Sequence, residues 1–169
     1  MRRAVESVAL ALVWLLGACV GHAQATENAL LHKPAPQFVR RDLAGKTVSL
    51  RAYRGKVVLL NFWATWCAPC QLELPRFEAW QKQYGPQGFE VIAVSMDDGA
   101  APARALVRKL GLDFPVAMGD AALGKRYGGV LGLPVTFLIA RDGKIAERFQ
   151  GETPLSEMEK QIQQLLAQR

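Results

Sequence analysis

The stretch NFWATWCAPCQLELP, residues 61–75, decides how this chain folds. It begins inside an almost unbroken apolar run, VVLLNFW at residues 57–63, which predicts a strand buried in an α/β sheet. Cys67 and Cys70 follow this run directly, and a helical pattern then continues to about residue 84. A pair of thiols at the junction of a buried strand and a helix predicts redox chemistry.

Apolar runs and turn signals on either side of this stretch predict alternating strands and helices. Strands are predicted at residues 38–41, 47–50, 89–95, 114–118, 135–140 and 145–150, and helices at residues 67–84, 102–110, 120–127 and 154–168. Strand–helix–strand units make parallel pairs, whereas Asp142-Gly143 predicts an antiparallel closing hairpin. The predicted fold class is therefore α/β with a mixed sheet.

The composition fits one globular domain and argues against nucleic acid as a partner. The chain has 169 residues, 50% of them hydrophobic, and a formal net charge of +6. Its basic residues form no block of five or six, because apolar residues separate them. A solvated basic face therefore explains the charge better than a nucleic-acid site does.

Residues 1–25 have the features of a secretory signal. Arg2 and Arg3 precede an apolar run over residues 8–20, and residues 23–25 (AQA) offer a cleavage site. The apolar run is short for a membrane span, which needs about 20 residues. Polar residues 26–35 then predict a linker, and residues 36–169 form the predicted folded domain.

A second interpretation of the N-terminus is a lipoprotein signal that ends before Cys19. Residues 15–19, LLGAC, resemble a bacterial lipobox, in which the cysteine is lipidated and becomes the first residue of the mature protein. Membrane contact would then occur only through the lipid at Cys19. An uncleaved anchor is the third interpretation, and all three export the protein to the periplasm or cell envelope.

The spacing of Cys67 and Cys70 suits a disulfide that opens and closes. Cysteines at i and i+3 of a helix have Cα atoms about 5–6 Å apart, within the range that a disulfide tolerates. The closed loop is too small to hold distant segments together, so a purely structural role is disfavoured. Cys67 lies at the helix N-terminus, where its thiol pKa should fall and its thiolate should be exposed, whereas Cys70 lies one turn inward and is shielded.

An inert buried disulfide and half of a zinc site are the competing interpretations of the cysteine pair. A zinc site lacks partners, because the chain has no second CxxC and its only histidines are His22 and His32 near the N-terminus. We therefore expect neither a bound metal nor a cofactor.

At these residues the sequence resembles the thioredoxin superfamily, and more closely its exported TlpA/ResA-type thiol–disulfide oxidoreductases. The resemblance runs from Pro36 to about residue 168 and is most specific at residues 61–75, 90–97 (EVIAVSMD) and 132–139 (GLPVTFLI). It implies a thioredoxin fold, a mixed sheet flanked by helices, with an N-terminal β-hairpin and a central helix–strand insert at residues 102–118.

The resemblance also implies roles for individual residues. Cys67 would be the nucleophile, Cys70 the resolving cysteine, and Pro134 the cis-proline that faces the dithiol. The backbone of Leu133 would pair with an extended substrate segment. Trp66 would flank the site as an apolar contact surface, although a plain core position fits its sequence context equally well.

Glu73 and Asn61 distinguish this sequence from ordinary thioredoxin. The buried acid that thioredoxin carries on the strand before its motif is replaced here by Asn61, which cannot take a proton. Glu73 follows Cys70 by three residues and therefore shares its helix face. Because the TlpA/ResA group resembles this arrangement, we expect Glu73 to be partly buried, to have a raised pKa and to relay a proton to or from Cys70. A solvated glutamate that favours the helix dipole is the alternative.

The expected function is an exported thiol–disulfide oxidoreductase that reduces protein disulfides through a Cys67/Cys70 dithiol–disulfide cycle. The family suggests cytochrome c maturation or copper-site assembly as tasks, with a membrane thiol-reducing relay as electron donor. An oxidase or isomerase differs only in reduction potential. A peroxiredoxin-like peroxidase is disfavoured, because the residues before Cys67, Phe-Trp-Ala-Thr-Trp, are not those that precede the peroxide-attacking cysteine of a peroxiredoxin. A copper or haem-site chaperone that binds through both thiolates is a competing function of a different class.

Overall fold

A five-stranded mixed sheet forms the centre of the protein. The computed structural model describes residues 29–130 and 132–168. In the order in which they pair, the strands are β5 (Val116–Met118), β4 (Phe89–Ser95), β3 (Val57–Trp63), β6 (Val135–Ile139) and β7 (Ile145–Gln150). Strands β3, β4 and β5 are parallel, whereas β6 runs antiparallel to both β3 and β7. The predicted mixed sheet is confirmed.

A separate two-stranded hairpin and four α-helices complete the described part of the chain. The hairpin pairs β1 (Val39–Arg41) with β2 (Thr47–Ser49) in antiparallel register. The helices are α1 (Ala68–Tyr84), α2 (Ala100–Leu110), α3 (Ala121–Arg126) and α4 (Leu155–Ala167). Asp120 caps α3 as predicted, because its carboxylate accepts the N–H of Leu123 at 2.7 Å. Helix α2 and strand β5 form the helix–strand insert that the resemblance implies.

The two faces of β3 support two hydrophobic clusters, because successive side chains of a strand point to opposite faces. Val57, Leu59 and Trp63 belong to the cluster that includes α1, α2 and α4. Val58, Leu60 and Phe62 belong to the cluster that includes the hairpin and α3. All seven residues of β3 are buried, so the strand is fixed from both sides.

The segment before the hairpin is packed onto the domain, although its sequence predicts a linker. Residues 32–35 lie alongside the turn between β6 and β7. The N–H of His32 donates to Ile145 O at 2.8 Å, and the N–H of Ala35 donates to Gly143 O at 3.0 Å. Ala35 is buried. Backbone groups at a sheet edge need partners, and this segment supplies them, which the polar composition of the segment does not reveal.

The predictions for the N-terminus concern residues that the structure does not describe. The signal, its cleavage site after Ala25 and the lipobox with Cys19 all fall within residues 1–28, outside the described residues. Within residues 29–130 and 132–168, no helix combines the length and the apolar character that a membrane crossing requires.

Candidate active site

Cys67 and Cys70 form a disulfide at the start of α1. Their Cα atoms lie 5.3 Å apart, as the spacing predicts. Strand β3 ends at Trp63, and the short turn after it leads directly to Cys67, the N-cap residue of α1. A buried central strand thus delivers the pair to the N-terminus of a 17-residue helix.

The N-terminus of α1 places a hydrogen-bond donor against the sulfur of Cys67. The N–H of Cys70 lies 3.3 Å from Cys67 Sγ and donates to it. Pro69 lies in the first turn, where its missing N–H removes no helical hydrogen bond. For the reduced protein, we expect the same N–H and the helix dipole to stabilise a thiolate on Cys67 more than one on Cys70.

Cys67 is buried in the disulfide form, whereas the expected exposure concerns its thiolate in the reduced protein. The residue is only 5% exposed, compared with 1% for Cys70. Both cysteines belong to the apolar cluster of Trp63 and Leu74, because the disulfide holds the Cys67 sulfur against the first turn of the helix. The division of labour between the two cysteines stays a prediction.

The carboxylate of Asp97, which lies after strand β4, anchors the turn before Cys67. Both oxygens of Asp97 accept the N–H of Thr65 at 3.1 Å, and Oδ1 also accepts the Thr65 hydroxyl at 2.7 Å. Oδ2 accepts the hydroxyl of buried Ser95 at 2.8 Å. Gln71 of α1 donates to Thr65 O at 2.7 Å, which ties the same turn to the helix. The sequence signals were a polar residue shortly after a buried strand and its place in the stretch EVIAVSMD, where the family resemblance is specific.

Glu73 is buried, as the resemblance suggested. It is 4% exposed, and neither carboxylate oxygen has a hydrogen-bond partner among the described residues. Burial, with a smaller contribution from the charge of Glu152, raises the pKa of Glu73 to about 7. The alternative of a solvated glutamate is therefore excluded, and the carboxyl can exchange a proton near neutral pH.

Asn61 makes a neutral contact at the buried position where thioredoxin carries an acid. Its Nδ2 donates to Thr136 Oγ1 on the neighbouring strand at 2.9 Å. Both residues are buried. Helix α1 carries two buried carboxyls, Glu73 and Glu78, and Glu73 is the one that lies a single turn beyond Cys70.

The residues expected to contact a substrate lie at the same end of the sheet. The bond between Leu133 and Pro134 is cis, as predicted. Phe62 pairs with Val135, so Pro134 lies beside the turn that leads to Cys67. Pro134 is buried and Leu133 is half-buried.

Trp66 and Leu72 present apolar surface to solvent on either side of the disulfide. Trp66 is 70% exposed and Leu72 is 75% exposed. A core position for Trp66 is therefore excluded, whereas Trp63 is fully buried. Large exposed apolar side chains beside a reactive pair are typical of a surface that binds another protein.

The described residues contain no group of three or more histidine, cysteine, aspartate or glutamate side chains placed to hold a metal ion. The groups that the described structure places at this site are the cysteine pair, the buried carboxyl of Glu73 and the N-terminus of α1.

Comparison with known proteins agrees with this chemistry. The model of the AhpC/TSA family matches residues 31–148. The chain belongs to the AhpC/TSA family. It is 35% identical to the thiol-disulfide oxidoreductase ResA of Bacillus cereus over 145 residues, which cover 86% of this chain and 84% of that protein. It is 40% identical to ResA of Bacillus anthracis over 135 residues, which cover 79% and 77%.

A solved structure confirms the fold. A thiol:disulfide interchange protein of the thioredoxin family from Chlorobium tepidum matches with a TM-score of 0.74 and 27% identity, over 79% of this chain and 96% of that one. The protein is a thiol–disulfide oxidoreductase with a CxxC disulfide. The CxxC pair and the ResA relatives favour this activity over that of a peroxidase.

Removing the carboxylate of Asp97 should destabilise the turn before Cys67. In Asp97→Ala, the Thr65 N–H and the buried Ser95 hydroxyl lose their acceptor, which costs about 1–3 kcal/mol in unfolding free energy. Urea unfolding of the oxidised protein measures this loss. The exposed neighbour Asp98 provides the control Asp98→Ala, and equal stabilities of the two variants would contradict the assigned role.

Stability of the oxidised protein should fall between about pH 4.5 and 7. Glu73 has an ordinary pKa of 4.5 when unfolded and about 7 when folded, so in this range the unfolded state releases the proton first. Stability therefore falls as pH rises, by about 1–3 kcal/mol in total. Glu73→Gln should remove this contribution to the slope, as measured by urea unfolding at pH 5 and pH 8. The exposed Glu157→Gln should keep it.

Proposed function

We propose that this protein reduces protein disulfides outside the cytoplasm. The observation that carries the proposal is the Cys67–Cys70 disulfide at the N-terminus of α1, with the Cys70 N–H directed at the Cys67 sulfur. The helix N-terminus favours a thiolate at Cys67, which makes Cys67 the attacking residue. The signal-like residues 1–25 support export.

The exchange takes two steps. The Cys67 thiolate attacks one sulfur of the substrate disulfide, forms a mixed disulfide and releases the other substrate sulfur as a thiolate. Cys70 then loses its proton and attacks the Cys67 sulfur, which restores the observed disulfide and releases the second substrate thiolate. Two electrons pass from the protein dithiol to the substrate.

Glu73 accepts the proton of Cys70 in the second step and returns it when the protein is reduced again. Its position one helical turn beyond Cys70 and its pKa of about 7 support this role. Asn61 cannot take this part, because an amide does not exchange a proton at neutral pH.

The substrate binds across the end of the sheet where β3 and β6 meet. The backbone of Leu133, beside cis-Pro134, pairs with an extended segment of the substrate. Exposed Trp66 supplies apolar contact next to the attacking sulfur.

The TlpA/ResA resemblance, together with relatives named ResA, supports cytochrome c maturation or copper-site assembly as the task. A membrane thiol-reducing relay then supplies the electrons. The protein is released after Ala25, held at the membrane by lipid on Cys19 or held by an uncleaved anchor, and mass spectrometry of the mature N-terminus distinguishes these three forms.

Cysteine variants and the reduction potential test the proposed direction. We expect a potential nearer to the −270 mV of thioredoxin than to the −120 mV of the oxidant DsbA, both being approximate values. We also expect insulin reduction by the wild type and none by Cys67→Ser. Cys70→Ser should accumulate the mixed disulfide at Cys67. A strongly oxidising potential without insulin reduction would overturn the choice of reductant.

Thiol alkylation across pH tests the proton relay. In the reduced wild type, the ionisation of Glu73 near pH 7 should appear as an inflection in the alkylation rate of the cysteine pair. Glu73→Gln should remove that inflection, whereas the exposed control Glu157→Gln should keep it. An unchanged pH profile in Glu73→Gln would exclude the relay.

A further inference from the structure

A cleft beside the disulfide extends beyond the groups that take part in the exchange steps. It has a volume of about 440 Å³. Pro69, Leu72 and Glu73 line one side, and residues 152–155, where β7 leads into α4, line the other. Gly151 N–H donates to Pro134 O at 2.8 Å, so this second wall adjoins the cis-proline and lies at the active end of the sheet.

The two ionisable residues that line the cleft both carry carboxyl groups, although the chain as a whole has a net charge of +6. They are buried Glu73 and exposed Glu152, and the lining includes no lysine or arginine. Arg76, three residues beyond Glu73 on α1, donates instead to Glu159 at 2.8 Å. The cleft is therefore a local acidic site in a basic protein.

Glu73 lacks the hydrogen-bond donors that a buried carboxylate needs. Both of its oxygens are without a partner among the described residues, although the residue is only 4% exposed. An unpaired buried carboxylate is costly, and a donor from a bound molecule would relieve that cost. The apolar walls suit an aliphatic stem, since Leu72 is 75% exposed and Pro69 and Leu155 are half-buried.

We propose that this cleft is a specificity subsite that takes a lysine or arginine side chain of the substrate. The aliphatic stem of that side chain packs on Leu72, and its cationic head lies between the carboxylates of Glu152 and Glu73. This inference rests on the proposed reduction of protein disulfides, because the cation belongs to the segment that flanks the attacked disulfide. Glu152 is then a specificity-determining residue that takes no part in the electron transfer.

Two synthetic peptides test the subsite. Each has one intramolecular disulfide, and they differ only in the residues that flank the cysteines, which are lysine in one and norleucine in the other. Stopped-flow tryptophan fluorescence gives the second-order rate constant for reduction by the reduced protein. At low ionic strength we expect the lysine peptide to react roughly fivefold faster or more, with a smaller advantage at high salt.

Substitutions at Glu152 separate the subsite from general electrostatic attraction. Glu152→Gln should lower the ratio of the lysine rate to the norleucine rate by at least half, and Glu152→Lys should bring it below one. Glu157→Gln removes an equally exposed charge on the neighbouring helix α4, outside the cleft lining, and should keep the wild-type ratio.

The outcomes distinguish the subsite from the function on which it rests. Equal rates for the two peptides with the wild type, or an unchanged ratio in Glu152→Gln, would refute the subsite and leave disulfide reduction intact. Reduction of neither peptide by the wild type would refute the proposed function and the subsite together.

Discussion

Burial of strand β3 on both faces is the constraint on which the rest of the structure depends. Its side chains alternate between the two hydrophobic clusters, and its backbone pairs with β4 on one side and β6 on the other. A strand held in this way has no freedom to shift its register, because a slip of one residue would exchange its two faces. The turn that follows it, and therefore Cys67, has a fixed position.

The pairing of the strands around β3 places four different chain segments at one end of the sheet. The turn after β3 carries the cysteines, and the residues after β4 supply Asp97, which binds Thr65. Pro134 lies directly before β6, and Glu152 follows β7 closely. Because each segment is the end of a strand or the start of one, the sheet sets their relative positions with little dependence on the loops.

The electrostatic character of the site comes from the contrast between a helix N-terminus and a buried acid. The first turn of α1 favours negative charge on the Cys67 sulfur, whereas burial disfavours charge on Glu73 and raises its pKa to about 7. A thiolate is thus stabilised next to a carboxyl that can hold a proton. The buried position where thioredoxin carries an acid is neutral here, because Asn61 occupies it and donates a hydrogen bond to Thr136.

The strands and helices were predictable because apolar runs, helical spacing and turn residues mark them in the sequence. The bounds of β3 and β4 agree with the sequence prediction, and those of the helices differ by one or two residues, as expected for helix ends. Periodicity could not predict the packing of residues 32–35 on the β6–β7 turn, because their partners lie more than 100 residues away. The same limit applied to Asp97 and to Glu152, whose importance comes from contacts between segments.

The sequence by itself determined the buried strand, the CxxC pair at a helix N-terminus and, through the family resemblance, the roles expected of Glu73 and Pro134. These properties depend on local spacing and composition, which a linear chain displays directly. Only the tertiary structure decided that Cys67 is buried in the disulfide form, that Glu73 has no hydrogen-bond donor among the described residues and that Glu152 faces it across a cleft. Burial and the distances between charges depend on the whole fold, and they determine the pKa of Glu73 and the acidic character of the cleft.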